Sequence, residues 1–554
     1  MCGTSAGSNT EQKAPLDGFF GYLLRENWCY VDGMNTSAEN AKKIEPLKSR
    51  AKIDADFAKA YQAQLAWSQR KTVERTVILD KLRSLLVESR HLIAQAIESH
   101  SRQDFRETIT SELMPLADSA KWLHKSAKRV LAPRYLDGGG SPLWLGRLRS
   151  TVHRVPHGLV MIIGTWNYPL FLPGVQILHA LAAGNAVVFK PSPGCDRLSH
   201  LLVSLLVRSG VPSELIVLLD SSVESAKQAI EIGVDKVIMT GSSRSGRTVL
   251  RSLAESLTPS VMELSGCDAM YVLPGADMHR VCDLLVFGLR LNGGATCMAP
   301  RRIFVPKQSS EVFHRLLSQR LETPVQKSWT TKLSSQTYHQ LWEGVEEAIE
   351  KGARIFSGES RRKPLASEEG PRGMPKEVES GHLVLSDVST EMQLCSADIF
   401  APLAMIVPVE DWSDALRADS RCPYALTASI FGPMEDALRL MKFVSAGFIT
   451  INDLIVPTAD PRLPFGGRGE SGYGVTRGNE GLLEMTYPKV VSARLGSWLP
   501  HAKLPEATDE ELLDGLLQFS HHKDFKARMQ GLLQTVRAAI SQRKSSKTKN
   551  TSTD

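Results

Sequence analysis

At 554 residues the chain is longer than one hydrophobic core can serve, so two or three domains with sizeable interiors are expected. Hydrophobic residues at 42% and charged ones at 23% sit near the globular average, which argues against both wholesale disorder and an integral membrane protein. The formal net charge of +6 is modest for this length and gives no reason to expect a nucleic-acid partner.

Residues 1–48 are rich in Gly, Ser, Asn and Lys around one aromatic patch from Phe19 to Tyr30, and read as an extension without a secretion signal. No run of about 18 apolar residues follows. The eight cysteines include no Cys-x-x-Cys pair, so a cytoplasmic enzyme with free thiols and no metal is expected. From Ile53 to Ala127 apolar residues (Leu65, Ile78, Leu79, Leu82, Leu85, Leu86, Ile93) recur at helical spacing, which predicts long amphipathic helices acting as scaffold. Short apolar runs at 159–163, 186–189, 215–219 and 236–239 then alternate with helical stretches such as 198–209 and 225–232. Buried strands alternating with helices predict an α/β fold around a doubly wound parallel sheet, whose ligands bind at the carboxyl ends of the strands.

A second strand-and-helix set spans 269–450, broken at 360–379 by a charged, Pro- and Gly-rich stretch that reads as an exposed loop. A Gly-rich loop follows at 463–474 and a late strand at 486–495. Beyond Ser497 come a charged amphipathic helix and a polar tail carrying Arg543, Lys544, Lys547 and Lys549, expected to be disordered rather than a nucleic-acid arm.

Two strand ends are unusual. The run 159–163 stops at Gly164-Thr-Trp-Asn-Tyr-Pro169, where Gly and Pro break the strand and set Asn167 on a turn. The run 236–239 stops at Thr240-Gly-Ser-Ser-Arg-Ser-Gly246 and passes into a helix expected over 248–257. Gly241 and Gly246 at a strand-to-helix turn, with Ser242 or Ser243 as N-cap, suit a phosphate at a helix N-terminus, although the middle glycine of G-x-G-x-x-G is missing.

Further on stand Met262-Glu-Leu-Ser-Gly266, Asn292-Gly-Gly-Ala-Thr-Cys-Met-Ala-Pro300, Asp398-Ile-Phe-Ala-Pro402, Leu463-Pro-Phe-Gly-Gly467 and Glu470-Ser-Gly472. With Thr165-Trp-Asn-Tyr-Pro169 and Phe189-Lys-Pro-Ser192, these motifs resemble the aldehyde dehydrogenase superfamily in identity, order and spacing over roughly residues 50–496. The apolar run after Pro169 is most similar to the branch that oxidises fatty and aromatic aldehydes. The resemblance implies an aldehyde dehydrogenase-like fold. Residues 49–142 and 158–265 would form an NAD(P)-binding domain, 266–485 a catalytic domain, and 497–554 a helical extension with a basic tail. Strands within 143–157 and 486–496 would exchange between subunits of a homodimer or a dimer of dimers.

It also implies roles. Cys297 attacks the aldehyde, Asn167 and the Cys297 backbone N–H stabilise the oxyanion, and Glu263 activates the water that hydrolyses the thioester. NAD or NADP is held by Thr165, Trp166, Lys190 and Ser192, by the turn containing Thr240, Gly241, Ser242 and Gly246, and by Asp398 and Phe400 at the nicotinamide end. A free thiol is only about 3% ionised at neutral pH, so Cys297 needs an activating environment.

The chain departs from the family at several positions. Pro193 stands where a glutamate often binds the adenine ribose, which predicts that NADP is used as well as NAD. Asp398 replaces a glutamate, Ser265 and Cys267 replace Gly and Lys, Ala295 replaces Gln, and Ala401 replaces Gly. Transfer of the acyl group to coenzyme A is disfavoured by the presence of Glu263, and a non-catalytic role by the intact Cys297, Asn167 and Glu263.

Overall fold

The computed structural model describes residues 49–97, 104–136, 148–358, 377–495 and 507–550, together with 141, 142, 145, 499 and 502. The extension 1–48, most of the expected loop at 360–376, and the start of the first exchange strand at 143–147 save residue 145 lie outside the described residues.

The first sheet has the spatial order Gly472–Tyr473, Ser260–Leu264, Lys236–Gly241, Leu159–Ile163, Ala186–Lys190, Ile216–Leu218. All neighbours are parallel except the short Gly472–Tyr473 strand. The chain begins at the centre, winds one way through Ile216–Leu218, then returns to build the other side. The order therefore reverses between Leu159–Ile163 and Lys236–Gly241, which opens a crevice at their carboxyl ends. Every residue of Leu159–Ile163 and Ala186–Lys190 is buried, as continuous apolar runs covered on both faces require.

The helix Phe171–Ala183, directly after the Asn167 turn, is buried at all thirteen positions, so its terminal N–H and C=O groups need protein partners. The Glu112 carboxylate accepts from the N–H of Leu170 (3.1 Å) and Phe171 (2.6 Å), its charge matching the positive end of the helix dipole. At the other end Gln64, Trp67 and Arg75 donate to the carbonyls of Gly184, Leu181 and Ala182. The segment expected to be mere scaffold thus fixes the helix that positions a site residue. Its first helix, Arg50–Gln69, buries Ile53, Phe57, Ala60, Gln64 and Trp67, while Leu65, expected on the core face, lies off that stripe and is exposed.

The helix after Thr240–Gly246 also differs from expectation. It runs over Ser243–Ala254, with Ser242 as N-cap accepting from Ser245 N (3.3 Å), and Leu257 lies beyond it with a φ of 52°. The cap chemistry overrides the later start suggested by apolar spacing.

A second sheet has the order Arg354–Ser357, Leu383–Ser386, Leu403–Val409, Pro300–Pro306, Asp268–Val272, Thr427–Phe431, Phe448–Ile451, parallel except for its first pair. Residues 377–379, expected in an exposed loop, instead begin the strand Glu377–Ser380, which pairs with Thr331–Ser334. Arg134–Tyr135, Leu148–Pro156 and Thr486–Arg494 form a small antiparallel sheet, the last two paired over nine residues. The last described residues form the helices Ala507–His521 and Phe525–Asn550. The basic tail expected to be disordered is therefore helical to Asn550. Arg and Lys are good helix formers, and cations suit a helix C-terminus.

Candidate active site

Asn167 is 2% exposed, and Thr165 Oγ1 donates to its Oδ1 (2.7 Å), which fixes the amide's orientation. Its Nδ2 donates to the Ala295 carbonyl (3.0 Å), Asn292 Nδ2 donates back to the Asn167 carbonyl (2.8 Å), and the hydroxyls of Tyr168 and Thr296 share a hydrogen bond of 2.7 Å. Ala295 and Thr296 immediately precede Cys297, so the Asn167 turn and the thiol loop form one bonded unit across the two sheets.

The Asn-Gly-Gly run is required by backbone conformation. Asn292, Gly293 and Gly294 are left-handed (φ 50°, 62° and 76°), and a Cβ on Gly294 would lie 2.5 Å from the Pro402 nitrogen. A Cβ on Gly266 would meet the Cys297 carbonyl oxygen at 2.9 Å, so that glycine lets the Glu263 segment approach the thiol loop. Arg301 donates from Nη2 to the Gly294 carbonyl (2.6 Å) and from Nη1 to the carbonyls of Ala401 and Leu403, binding the loop to the Asp398–Pro402 segment.

Glu263 is 3% exposed on Ser260–Leu264, opposite Gly472 of the short edge strand. Thr476 Oγ1 donates to its Oε2 (2.9 Å), and Oε1 has no partner among the described residues. Arg477 is buried beside it. Its guanidinium lies 4.3 Å from the Phe465 ring centroid and 5.5 Å from that of Phe171, and Nη1 donates to the Thr458 carbonyl. Nε and Nη2 have no partner among the described residues.

The electrostatics of the polypeptide act against ionisation of the thiol. Cys297 is partly exposed, yet burial of its sulfur and then the carboxylates of Glu263 and Asp268 push its pKa up, with Arg477 opposing. Burial also raises the Glu263 carboxyl, against Arg477 and the Thr476 hydroxyl. The protein by itself holds Cys297 as a thiol, with a carboxylate of raised basicity close by.

The residues expected around the cofactor gather at the crevice. Lys190 ends its strand 7% exposed, its ammonium pKa lowered by burial against the opposing charges of Asp196 and Asp220. Ser192 O accepts from Cys195 N (3.0 Å), and Pro193 is exposed. Thr240 Oγ1 accepts from Gln176 Nε2 (3.0 Å), and Gly241 O accepts from Ser265 N (3.1 Å) and Oγ (3.2 Å). Ser265, which replaces a family glycine, also hydrogen-bonds the shortened Asp398 side chain, whose pKa burial raises. The Trp166 and Phe400 rings, both solvent-accessible, face each other with centroids 5.7 Å apart. A Cβ on Gly246 would lie 2.9 Å from the Leu264 methyls, so its absence lets the helix pack on the sheet. Among the described residues no cluster of three His, Cys, Asp or Glu is fit to hold a metal.

Sequence reasoning missed Thr476, Arg477 and Glu112. The only signal for Arg477 was a lone cation just beyond the Gly-rich loop.

A thiol, an oriented amide and a buried carboxylate at the mouth of a doubly wound sheet are groups from which nucleophilic catalysis can be built. The aldehyde dehydrogenase family model matches residues 35–491, most of the chain, which belongs to that family. It is 28% identical to the 4,4'-diapolycopene aldehyde oxidase of a Methylomonas species over 86% of this chain and 89% of the relative. It is 29% identical to the "Probable coniferyl aldehyde dehydrogenase" of Pseudomonas aeruginosa, over 80% and 91%. The crystal structure of a Mycobacterium tuberculosis aldehyde dehydrogenase complexed with NAD+ superposes with a TM-score of 0.73 at 25% identity, covering 82% of this chain and 92% of that one.

Proposed function

We propose that the chain oxidises an aldehyde to a carboxylic acid with NAD or NADP as hydride acceptor, through a thioester on Cys297. The observation that carries this reading is the hydrogen-bonded unit joining Asn167 to Ala295 and Tyr168 to Thr296, beside Glu263. Cys297 Sγ forms a bond to the aldehyde carbon, and its proton passes to a base. The Asn167 amide and the Cys297 N–H donate to the resulting oxyanion, an arrangement typically worth roughly 3–4 kcal/mol per donor. The bound cofactor supplies the hydride acceptor. Glu263 then takes a proton from water as the water oxygen attacks the thioester carbon, and the C–S bond breaks to release the acid and restore the thiol. The unpartnered Glu263 Oε1 supports a water-facing role, and Arg477 supplies the positive charge that keeps this buried carboxylate able to accept a proton.

The crevice fits a dinucleotide. It lies at the switch point of the sheet, flanked by a capped helix N-terminus, the accessible Trp166 and Phe400 rings, and Lys190. Pro193 neither bonds ribose hydroxyls nor repels a 2'-phosphate, whereas Asp196 and Asp220 oppose pairing of that phosphate with Lys190. An absorbance assay with a panel of aliphatic and aromatic aldehydes is expected to show use of both cofactors, within about a hundredfold in kcat/KM. Pro193→Glu is expected to move the ratio toward NAD. No reduction of either cofactor with any aldehyde would overturn the reading.

The exposed Tyr487, Val490 and Val491 on Thr486–Arg494 support assembly into a homodimer or a dimer of dimers through the small sheet. A strict monomer at micromolar concentration in sedimentation velocity would remove this idea.

A further inference from the structure

The helix Phe525–Asn550 presents two faces of different kind. One packs on Ala507–His521: Gly531 lies against Gly515, Ala538 is buried, Gln534 Nε2 donates to Asp514 (3.0 Å), and Arg528 Nε donates to the Phe519 carbonyl (2.9 Å). The other carries Phe525, Met529, Leu533, Val536 and Ile540. Their spacing of four, four, three and four places them on one stripe of an α-helix, and all are exposed, from 39% at Met529 to 74% at Phe525. The helix sequence holds seven Lys and Arg residues and no Asp or Glu. By helical spacing Lys526 and Arg537 border one edge of the stripe and Arg528 the other.

We propose that this stripe docks on the surface of a lipid bilayer containing anionic lipids. An apolar stripe flanked by cations is the pattern of a helix lying in the interface plane, with its side chains among the acyl chains and its cations at the headgroups. Among the described residues no helix is long and apolar enough to cross a membrane, so the helix lies on the surface without spanning it. The charge also argues against a second copy as occupant. A two-fold contact through this stripe would set the basic helix against its own copy, Lys526, Arg528 and Arg537 included, while Asp509, Glu510, Glu511 and Asp514 belong to the other helix of the hairpin and Asp524 caps the turn between them. An anionic surface instead neutralises the helix along its length.

The test is co-sedimentation of the full chain with vesicles of phosphatidylcholine alone and with about 30% phosphatidylglycerol. Partitioning at least about tenfold stronger onto the anionic vesicles is expected, falling steeply in about 0.5 M salt. Leu533→Glu combined with Ile540→Glu is expected to lower partitioning at least about tenfold, and Lys526→Glu combined with Arg537→Glu to act in the same direction. Aldehyde oxidation and circular dichroism serve as controls for folding, because the stripe lies far along the chain from Cys297 and Glu263. Equal partitioning onto both vesicles, or binding unaffected by the Leu533→Glu, Ile540→Glu pair, would overturn the proposal. So would a parental protein that ignores vesicles while the same pair reduces its mass in sedimentation velocity, which would identify a second copy as the occupant.

Discussion

Replacing Cys297 by Ala or Ser is expected to lower aldehyde oxidation by on the order of 10⁴-fold or more, while cofactor binding stays nearly unchanged. Sulfur is the stronger nucleophile, and a serine hydroxyl in the same place would have to give up a proton several pKa units less acidic. The cofactor candidates Lys190 and Thr240 lie at the ends of first-sheet strands and Trp166 on the turn after Leu159–Ile163, on other elements than the loop that carries Cys297. Other cysteines are poor substitutes. Cys267 is fully buried, its thiol pointing at the carbonyls of Leu394 and Cys395. Cys282 is buried in its helix, its pKa pushed up to about 12 chiefly by burial. Cys422 is partly exposed, and the hydrogen bond with the neighbouring Cys267 thiol draws its pKa down against burial. An alkylating reagent is therefore expected to label Cys422 in the inactive variant, and labelling alone does not locate the nucleophile. Retention of more than a few per cent of turnover by Cys297→Ala would refute the assignment.

Glu263→Gln is expected to release one equivalent of reduced cofactor per site in a burst and then turn over roughly a hundred- to ten-thousandfold more slowly than the parent. The burst survives because the substitution removes a negative charge that raises the Cys297 pKa, so the thiol ionises more readily in the variant. The pH dependence follows in sign. A carboxyl whose pKa is raised is protonated, and useless as a base, up to a higher pH than an ordinary glutamate. Parental steady turnover should therefore fall as pH drops through that raised value, and the variant should lose this limb. The pH at which the burst reaches half its amplitude should move down in the variant. Stopped-flow absorbance separates the two phases. Absence of a burst at every pH would mean that Glu263 also removes the Cys297 proton.

How much of this was legible in the sequence follows from how far each constraint reaches along the chain. The turn at Gly164–Pro169, the Asn-Gly-Gly run before Cys297 and Gly266 could be read because each answers to a local demand: left-handed φ at 292–294, and a close backbone approach at 266 and 294. Four strands of the first sheet were recognisable from apolar runs and shifted by only a residue or two at their ends, as fully buried parallel strands allow. At Ser242 the polar cap marked the helix start better than apolar spacing, which put it five residues too late. Residues that act through partners distant in sequence were not legible at all. Glu112 reaches Leu170 across 58 positions, and Thr476 reaches Glu263 across 213.

The sequence by itself determined the α/β class and the family and singled out Cys297, Asn167 and Glu263 as candidates, because motif glycines and turn residues record backbone conformations that few other residues adopt. Tertiary structure alone decided that burial and neighbouring carboxylates push the Cys297 pKa up, that Arg477 opposes the rise at Glu263, that Asp196 and Asp220 oppose the effect of burial on Lys190, and that the last helix leaves an apolar stripe uncovered. A pKa and an exposed face are sums over neighbours in space, and burial and Coulomb terms acquire a sign and a size only when the chain has folded and those neighbours have positions.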